Sequence, residues 1–579
     1  MLRHRKKSAL IAAAIVVAAL CLRIIASVQL ADINGGMNPV YHPSTLTDMA
    51  TYWDLSGRIL AGEFATEYFY YQPFYYAVWL TGLRALFDSV NMVVAAQILL
   101  GTLTVVLAML VGQRVGGRRC GWIAGALTAM EGALLLYTPY LMIVNVQAFW
   151  LVAITWAGVR LARGRGAWWL CCLFGALIGC AILTRGNGWY LVPGALLLMF
   201  CAKRPLAAMR GAAMMLACIL LVQLPFIVHN SRLAGELKGA STASSQVLAL
   251  GNTPEAPAGG RDFFANAGPM EYPPAYEMWI ATDADTPVIQ RILQWAKEEP
   301  LAFGEHQFRK LLLFWDWREI PNNVSFADGA GIAPALFWST GIILTLGLAG
   351  ILGTLYRAFI RRRLALLWLA YVVLGYWAAT AAFYNLSRFR APVLPLLAVF
   401  AGLFVVGMCA RFKRNGLAGV WRGAAVFVLS AFVVYFGFDT YRTFDPAVMR
   451  AVRPHGVRVD NMYLDSGPLT YGLWEDRALV RGDIYVKTFA APEAVGEVEI
   501  TFYAARPGLI RLKVDGNERG VRATPGVFME RFPVSGNSVE IEVIEPGGAS
   551  LVFDLGRDYG RTVKNGAPVN AELVARLFQ

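Results

Sequence analysis

With 579 residues, 57% of them hydrophobic and only 16% charged, and with a positive mean hydropathy, the chain is too apolar for an ordinary soluble domain and reads as a polytopic membrane protein. Its formal charge of +13 does not indicate a nucleic-acid partner, because the Lys and Arg residues collect in short connections between apolar runs. The eight cysteines lie in or beside apolar runs and the five histidines are scattered, so neither a disulfide framework nor a Cys or His metal centre is indicated.

Residues 8–31 form a long apolar run behind the basic cap RHRKK, which predicts a retained first span with its N-terminus on the cytoplasmic side. A polar stretch, 32–88, follows. Further apolar runs at 90–112, 120–137, 141–161, 168–183, 189–202 and 211–228 are read as alternating crossings. A second polar segment, 229–330, is too long for a simple connection and contains a helical pattern over 288–298. Runs at 333–356, 364–383, 392–410 and 420–438 bring the expected total to about 11 transmembrane helices. The connections carrying only basic charge all fall on one side, the cytoplasmic one, which places 32–88, 229–330 and the C-terminal part outside.

After residue 438 the pattern changes to period two, in runs such as EVEITFYA, LIRLKVDG and SVEIEVIE separated by turn residues. That predicts a soluble antiparallel β-domain, sandwich-like, over 439–579, with a hairpin turn at DGN from Asp515 to Asn517. Residues 1–438 make the transmembrane domain.

The first polar stretch carries Asp48, Tyr52 and Asp54, followed by a dense aromatic series from Tyr68 to Trp79. On a helix Asp48 and Tyr52 share a face, whereas Asp54 projects elsewhere. Asp48 reads either as an acid favoured at a helix start or as a reacting group. The aromatic series locates a membrane surface without naming a reaction. Three arginines break the charge rule: Arg185 in LTRGNGWY, and Arg388 and Arg390 in NLSRFRAPVLP. Outward-facing guanidinium groups beside hydrocarbon suit phosphate oxygens, and they equally suit snorkelling or pairing with loop acids. Glu131 lies in an apolar run, where an acid is costly, and it serves either a site or a neighbouring helix. The sequons at Asn323 and Asn385 are short patterns and carry no weight.

Taken in order, the DMATY helix, YYQPFYY, LTRGNGWYLVPG, the loop with HNSRLAGELKG and GNTP, and SRFRAPVLPLL resemble the GT-C superfamily of membrane glycosyltransferases. Within it they are similar to the family of dolichyl-phosphate-mannose protein mannosyltransferases and the aminoarabinose transferase of lipid A. The resemblance covers roughly residues 8–410. It implies transfer of a sugar from a polyprenyl-phosphate carrier, with inversion, to a glycan, lipid or protein acceptor on the outer face of the plasma membrane. It implies a catalytic role for Asp48, as general base or acceptor-orienting acid, and contact of Arg185, Arg388 and Arg390 with the carrier phosphate.

One feature departs from the family pattern: where relatives carry a second acid at the start of the fourth span, this chain has LMIVNVQAFW, with Asn145 and Gln147. Amides lack the charge that helps hold a divalent metal, so no metal ligand is assigned and metal dependence stays open. Asp54 and Glu131 are the candidate substitutes. Competing readings are a transporter or flippase of lipid-linked sugars, which would favour paired repeats and broken helices, and a non-catalytic relative that binds glycans through the β-domain.

Overall fold

The computed structural model describes residues 2–32, 48–164, 168–243, 247–249, 251–252, 287–317 and 333–438, and, beyond these, 457–458, 484–504, 508–514, 517–523, 526–544, 551–552 and 574–578. Thr47, the Asn323 sequon and much of 229–330 lie outside them. The chain forms two compact units: Met1–Ser244 with Leu311–Glu319 and Asn323–Phe438, and Ser245–Lys310 with Ile320–Asn322 and Asp439–Gln579.

The first unit is helical. Its elements are α1 (Leu2–Asp32), α2 (Asp48–Ala61), α3 (Thr81–Phe87), α4 (Val90–Gly116), α5 (Arg118–Ala129), α6 (Gly132–Leu136), α7 (Val144–Leu161), α8 (Trp168–Thr184), α9 (Leu191–Ala202) and α10 (Pro205–Ala234). Among the described residues, seven helices of the chain are long and apolar enough to cross a membrane: Lys7–Leu30, Val90–Gly116, Val144–Leu161, Pro205–Ala234, Thr340–Ile360, Leu364–Ala381 and Ser387–Gly419. Three shorter apolar helices, Trp168–Thr184, Gly186–Ala202 and Trp421–Gly437, cover other expected spans.

The run 120–137 is not one span. Its helix stops at Ala129 and restarts at Gly132, because Glu131 turns to an extended backbone and caps the second piece, accepting Leu134 N–H at 2.9 Å. Hydropathy averages over such a break and cannot register it.

Small residues set the close approaches between helices. A Cβ at Gly112 of α4 would stand 2.9 Å from Cα of Gly121 in α5, so only glycine admits this contact. Arg23, within the apolar length of α1, is fully buried. Its Nη1 donates to Ala19 O at 3.1 Å, Nε and Nη2 have no hydrogen-bond partner among the described residues, and the side chain lies over Gly101, where a Cβ would approach Nε to 2.5 Å.

The polar stretch after α1 is built to hold its aromatic residues in place. Arg84 of α3 donates to Trp53 O at 2.6 Å and to Ser56 Oγ at 2.8 Å, and its guanidinium lies 3.9 Å from the Trp53 ring centre, fixing α2 against α3. Helix α10 continues past its apolar length to Ala234, and that extension presents Asn230 to the aromatic series. Asn230 accepts Phe69 N–H at 2.8 Å and donates to Gly239 O at 2.9 Å. A π-helical turn, Phe74–Leu80, then leads into α3.

The remaining helices are α11 (Val288–Glu298), α12 (Pro300–Leu313), α13 (Ala333–Ile360), α14 (Leu364–Ala381), α15 (Ser387–Arg390), α16 (Leu394–Asn415) and α17 (Trp421–Phe432). In the second unit, α11 and the part of α12 up to Lys310 pack with Leu248 and Ala249. There His306 Nε2 lies 2.9 Å from Gly251 O, and Lys310 Nζ donates to Gly251 O at 3.0 Å and to Asn252 Oδ1 at 2.8 Å.

The described strands of this unit form one antiparallel sheet in the order β1-β7-β2-β5-β3-β4, with β6 also on β2. They are β1 (Val457–Arg458), β2 (Ile484–Ala504), β3 (Gly508–Val514), β4 (Asn517–Ala523), β5 (Gly526–Ile544), β6 (Leu551–Val552) and β7 (Val574–Phe578). Strands β2 and β5 pair along their length with register shifts between Ala490 and Glu497, where the ladder bulges. Val514 stands opposite Asn517, while Asp515 and Gly516 of the expected turn lie outside the described residues. The second layer that a sandwich needs is not among the described strands.

Candidate active site

Asp48 opens α2, and this helix buries Met49, Tyr52 and Ser56 while leaving Asp54 exposed. The i to i+4 spacing of Tyr52 and Ser56 produces that face. From the aromatic series, the Tyr71 hydroxyl donates to Asp48 Oδ1; from α15, Arg388 Nη1 donates to Asp48 Oδ2 and forms an ion pair with it. Beside them the Tyr52 hydroxyl donates to Gln72 Oε1. The rings of Tyr52 and Tyr71 are 5.7 Å apart and those of Tyr52 and Tyr75 5.1 Å, so the polar groups sit on a packed aromatic wall.

Arg185 follows α8 directly. Its guanidinium lies 3.7 Å from the Phe389 ring centre, and Nη1 donates to the Tyr376 hydroxyl at 3.3 Å. Tyr376 in turn donates to Phe389 O at 2.8 Å. Both guanidinium groups thus lie near the Phe389 ring, that of Arg388 5.2 Å from its centre.

A small cleft opens here. Tyr52 and Gln72 line it from the first polar stretch, Met142 and Ile143 from the turn before α7, Val144 from the start of α7, and Arg185, Arg388 and Phe389 from the ends of the apolar helices. The turn is held by Gln97, whose amide donates to Thr138 O at 2.8 Å and Tyr140 O at 3.0 Å while its Oε1 accepts the Tyr75 hydroxyl at 2.9 Å. Gln72 has a positive φ of 54°, uncommon for a residue with a side chain and a recurrent feature of binding sites.

Partial burial pushes the Asp48 carboxyl up, but adjacent Arg388, the hydrogen bonds from Tyr71 and Arg388, and more distant Arg185 outweigh it and hold the group below the ordinary carboxylate range. Burial and the charge of Asp48 push the Tyr71 hydroxyl well up, so it stays a donor. The result is a carboxylate kept ionised, beside an opening lined by two cations.

The residues singled out from the sequence divide accordingly. Tyr52, Arg185 and Arg388 line the cleft, and Asp48 adjoins it through its ion pair with Arg388. Arg390 is buried and donates instead to the carbonyls of Phe314, at 3.3 Å, and Asp316. Glu131 is buried between Leu134 N–H and the Thr340 hydroxyl, away from the cleft lining, and Asp54 is on the exposed side of α2. Asn145 donates to Tyr137 O at 3.0 Å, and neither amide atom of buried Gln147 has a partner among the described residues. Gln72, Tyr71 and Phe389 were not singled out. Phe389 sits between the two arginines of the SRFR motif, a visible signal, but nothing in YYQPFYY marks Gln72 as left-handed.

No protein-family model matches the chain, and no curated protein does. Solved structures are similar in fold. An oligosaccharyltransferase from Archaeoglobus fulgidus in the apo form matches at 17% identity over 74% of this chain and 55% of its own, with a TM-score of 0.41. ArnT from Cupriavidus metallidurans bound to undecaprenyl phosphate matches at 16% identity, 76% and 72% coverage and a TM-score of 0.39. The arabinosyltransferase EmbB from Mycobacterium smegmatis matches at 14% identity, 96% and 64% coverage and a TM-score of 0.27. The chain spans 55–60% of the archaeal oligosaccharyltransferase chains it matches, less than two thirds. All three proteins are GT-C glycosyltransferases, the class that the ordered motifs resemble. With TM-scores below 0.5, none of these likenesses assigns a residue or a reaction to this chain.

Proposed function

We propose that this protein transfers a sugar from a polyprenyl-phosphate-linked donor to a hydroxyl or amine of a glycan, lipid or protein acceptor at the outer face of the plasma membrane. The observation that carries the reading is the ion pair of Asp48 with Arg388, which lines a cleft together with Arg185 at the ends of two apolar helices, the shorter Trp168–Thr184 and the membrane-length Ser387–Gly419. A carrier phosphate entering from the lipid side would find two guanidinium groups, and its sugar would extend toward Tyr52, Gln72 and Asp48.

In the proposed step the acceptor oxygen or nitrogen attacks the anomeric carbon, the bond from that carbon to the phosphate oxygen breaks, and the carrier phosphate leaves with the electron pair. The acceptor proton passes to Asp48. Inversion follows from attack opposite the leaving group. A carboxylate held below its usual range is a weak base. The arriving phosphate shares the charge of Arg388, which stays bonded to Asp48, and the carboxylate then takes the proton more readily. Arg388 and Arg185 stabilise the charge that develops on the leaving phosphate. In this reading the N-terminus is cytoplasmic, and the β-rich part lies outside and receives the acceptor.

The test is incubation of purified protein with labelled polyprenyl-phosphate sugars, following free carrier phosphate. Asp48→Asn is expected to lose release by about 10² to 10⁴-fold with donor binding retained. Donor binding without release in the wild-type protein would favour a flippase or a glycan-binding relative instead.

A further inference from the structure

The position occupied by Arg388 bears on how charge is handled during transfer. Each oxygen of the Asp48 carboxylate already accepts a hydrogen bond, Oδ1 from Tyr71 and Oδ2 from Arg388. Magnesium and calcium require six or more oxygen ligands, with carboxylates supplying the compensating charge. Among the described residues that line the cleft there is no carboxylate, and the first turn of α7 carries amides, Asn145 and Gln147, where an acid would be needed. Of these, Asn145 is tied to Tyr137 O at 3.0 Å. Glu131 is committed to Thr340 and Leu134 N–H. Among the described residues no three His, Cys, Asp or Glu side chains converge. A divalent cation beside Asp48 would also face the guanidinium already there, with Arg185 near the same Phe389 ring. These residues do not fit a divalent metal. They do fit a fixed organic cation: Arg388 lines the cleft and is tethered to Asp48 through Nη1, and its buried Nε has no hydrogen-bond partner among the described residues.

We propose that Arg388 takes the place of a divalent metal in this protein, serving as the cation that orders Asp48 and receives the carrier phosphate, so that sugar transfer is metal-independent. The inference rests on the transfer reaction proposed above. It extends that proposal by giving one arginine the two tasks that an acid-bound metal would otherwise divide, binding the catalytic carboxylate and neutralising the leaving group.

Two measurements on the purified full-length protein test it. After chelation and dialysis, Mn²⁺ is titrated and free Mn²⁺ is followed by electron paramagnetic resonance. No binding site sensitive to Asp48→Asn is expected; a saturable site at sub-millimolar Mn²⁺ that this substitution abolishes would overturn the proposal. Release of carrier phosphate is then compared in EDTA and in Mg²⁺ or Mn²⁺. Equal rates are expected, and a loss in EDTA restored by metal would overturn it. Arg388→Ala should lower release about 10² to 10³-fold, with recovery on adding millimolar guanidinium but not Mn²⁺; recovery by the metal alone would also count against it. If the wild-type protein releases no carrier phosphate under any condition, the transfer reading fails, and the Mn²⁺ titration still decides whether the site takes a metal.

Discussion

Asp48 and Arg388, 340 positions apart in the sequence, form an ion pair between the start of α2 and the short helix α15. The pair joins the first polar stretch to the end of the apolar helix bundle, and both partners are largely shielded from solvent. Asp48→Asn and Arg388→Met are each expected to lower the thermal stability of the detergent-solubilised protein, with a coupling of about 0.5–3 kcal/mol in the double-mutant cycle. Because the folded carboxyl titrates below its ordinary value, this contribution is present above about pH 4 and lost as pH falls through the lower folded value. Melting curves of wild type and Asp48→Asn should therefore converge in acid; a constant separation between pH 7 and pH 3 would contradict the assignment.

Arg390 stands two residues from Arg388 and has a different environment, donating to the carbonyls of Phe314 and Asp316. Arg390→Met should destabilise the protein by about 3 kcal/mol, because it leaves those buried carbonyls without their charged donor. Arg388→Met should chiefly weaken binding of a polyprenyl phosphate. If Arg390→Met impaired binding with no loss of stability, the division of roles between the two arginines would be wrong.

Gln72 combines a positive φ with a hydrogen bond from Tyr52. A β-branched residue cannot easily adopt that backbone, so Gln72→Val should cost about 1–3 kcal/mol. Gln72→Gly relaxes the backbone and removes only the side-chain contact, and it should be the milder change. Chemical denaturation of the two variants distinguishes them; equal losses would locate the effect in the side chain alone.

In the second unit burial, together with the nearby Lys310, pushes the His306 pKa down to about 3. The unfolded chain binds this proton more readily, so the folded state loses stability as pH falls from about 6.5 toward 3. Lys310, also pushed down by burial, acts in the same direction. His306→Gln should remove the histidine share of this acid sensitivity. Hydrogen exchange of α11 and α12 between pH 7 and pH 4 is the measurement, and an unchanged pH dependence in the variant would refute the account.

Long apolar helices were readable because membrane crossing demands a simple excess of apolar side chains, and the seven long spans follow from it. The break at Glu131 was not, since it depends on one side chain capping a backbone turn rather than on local apolarity. Asp48, Arg185 and Arg388 stood out as charges at unexpected places. Their mutual arrangement did not, because nothing local ties position 48 to position 388. The role of Arg390 could not be separated from that of Arg388 by spacing, since it is set by the carbonyls that the chain brings to it from residues 314 and 316.

The packing of Arg23 on Gly101 constrains the order in which the protein can be made. During synthesis α1 emerges with an arginine inside its apolar length and no protein surface to shelter it until α4 has also left the ribosome. The two helices are therefore expected to settle in the bilayer together. Chains ending before residue 90 should hold the first helix less firmly than chains that include α4, as judged by alkaline extraction, and Gly101→Leu should weaken that retention. Equal retention at both lengths would mean that the lipid alone accommodates Arg23.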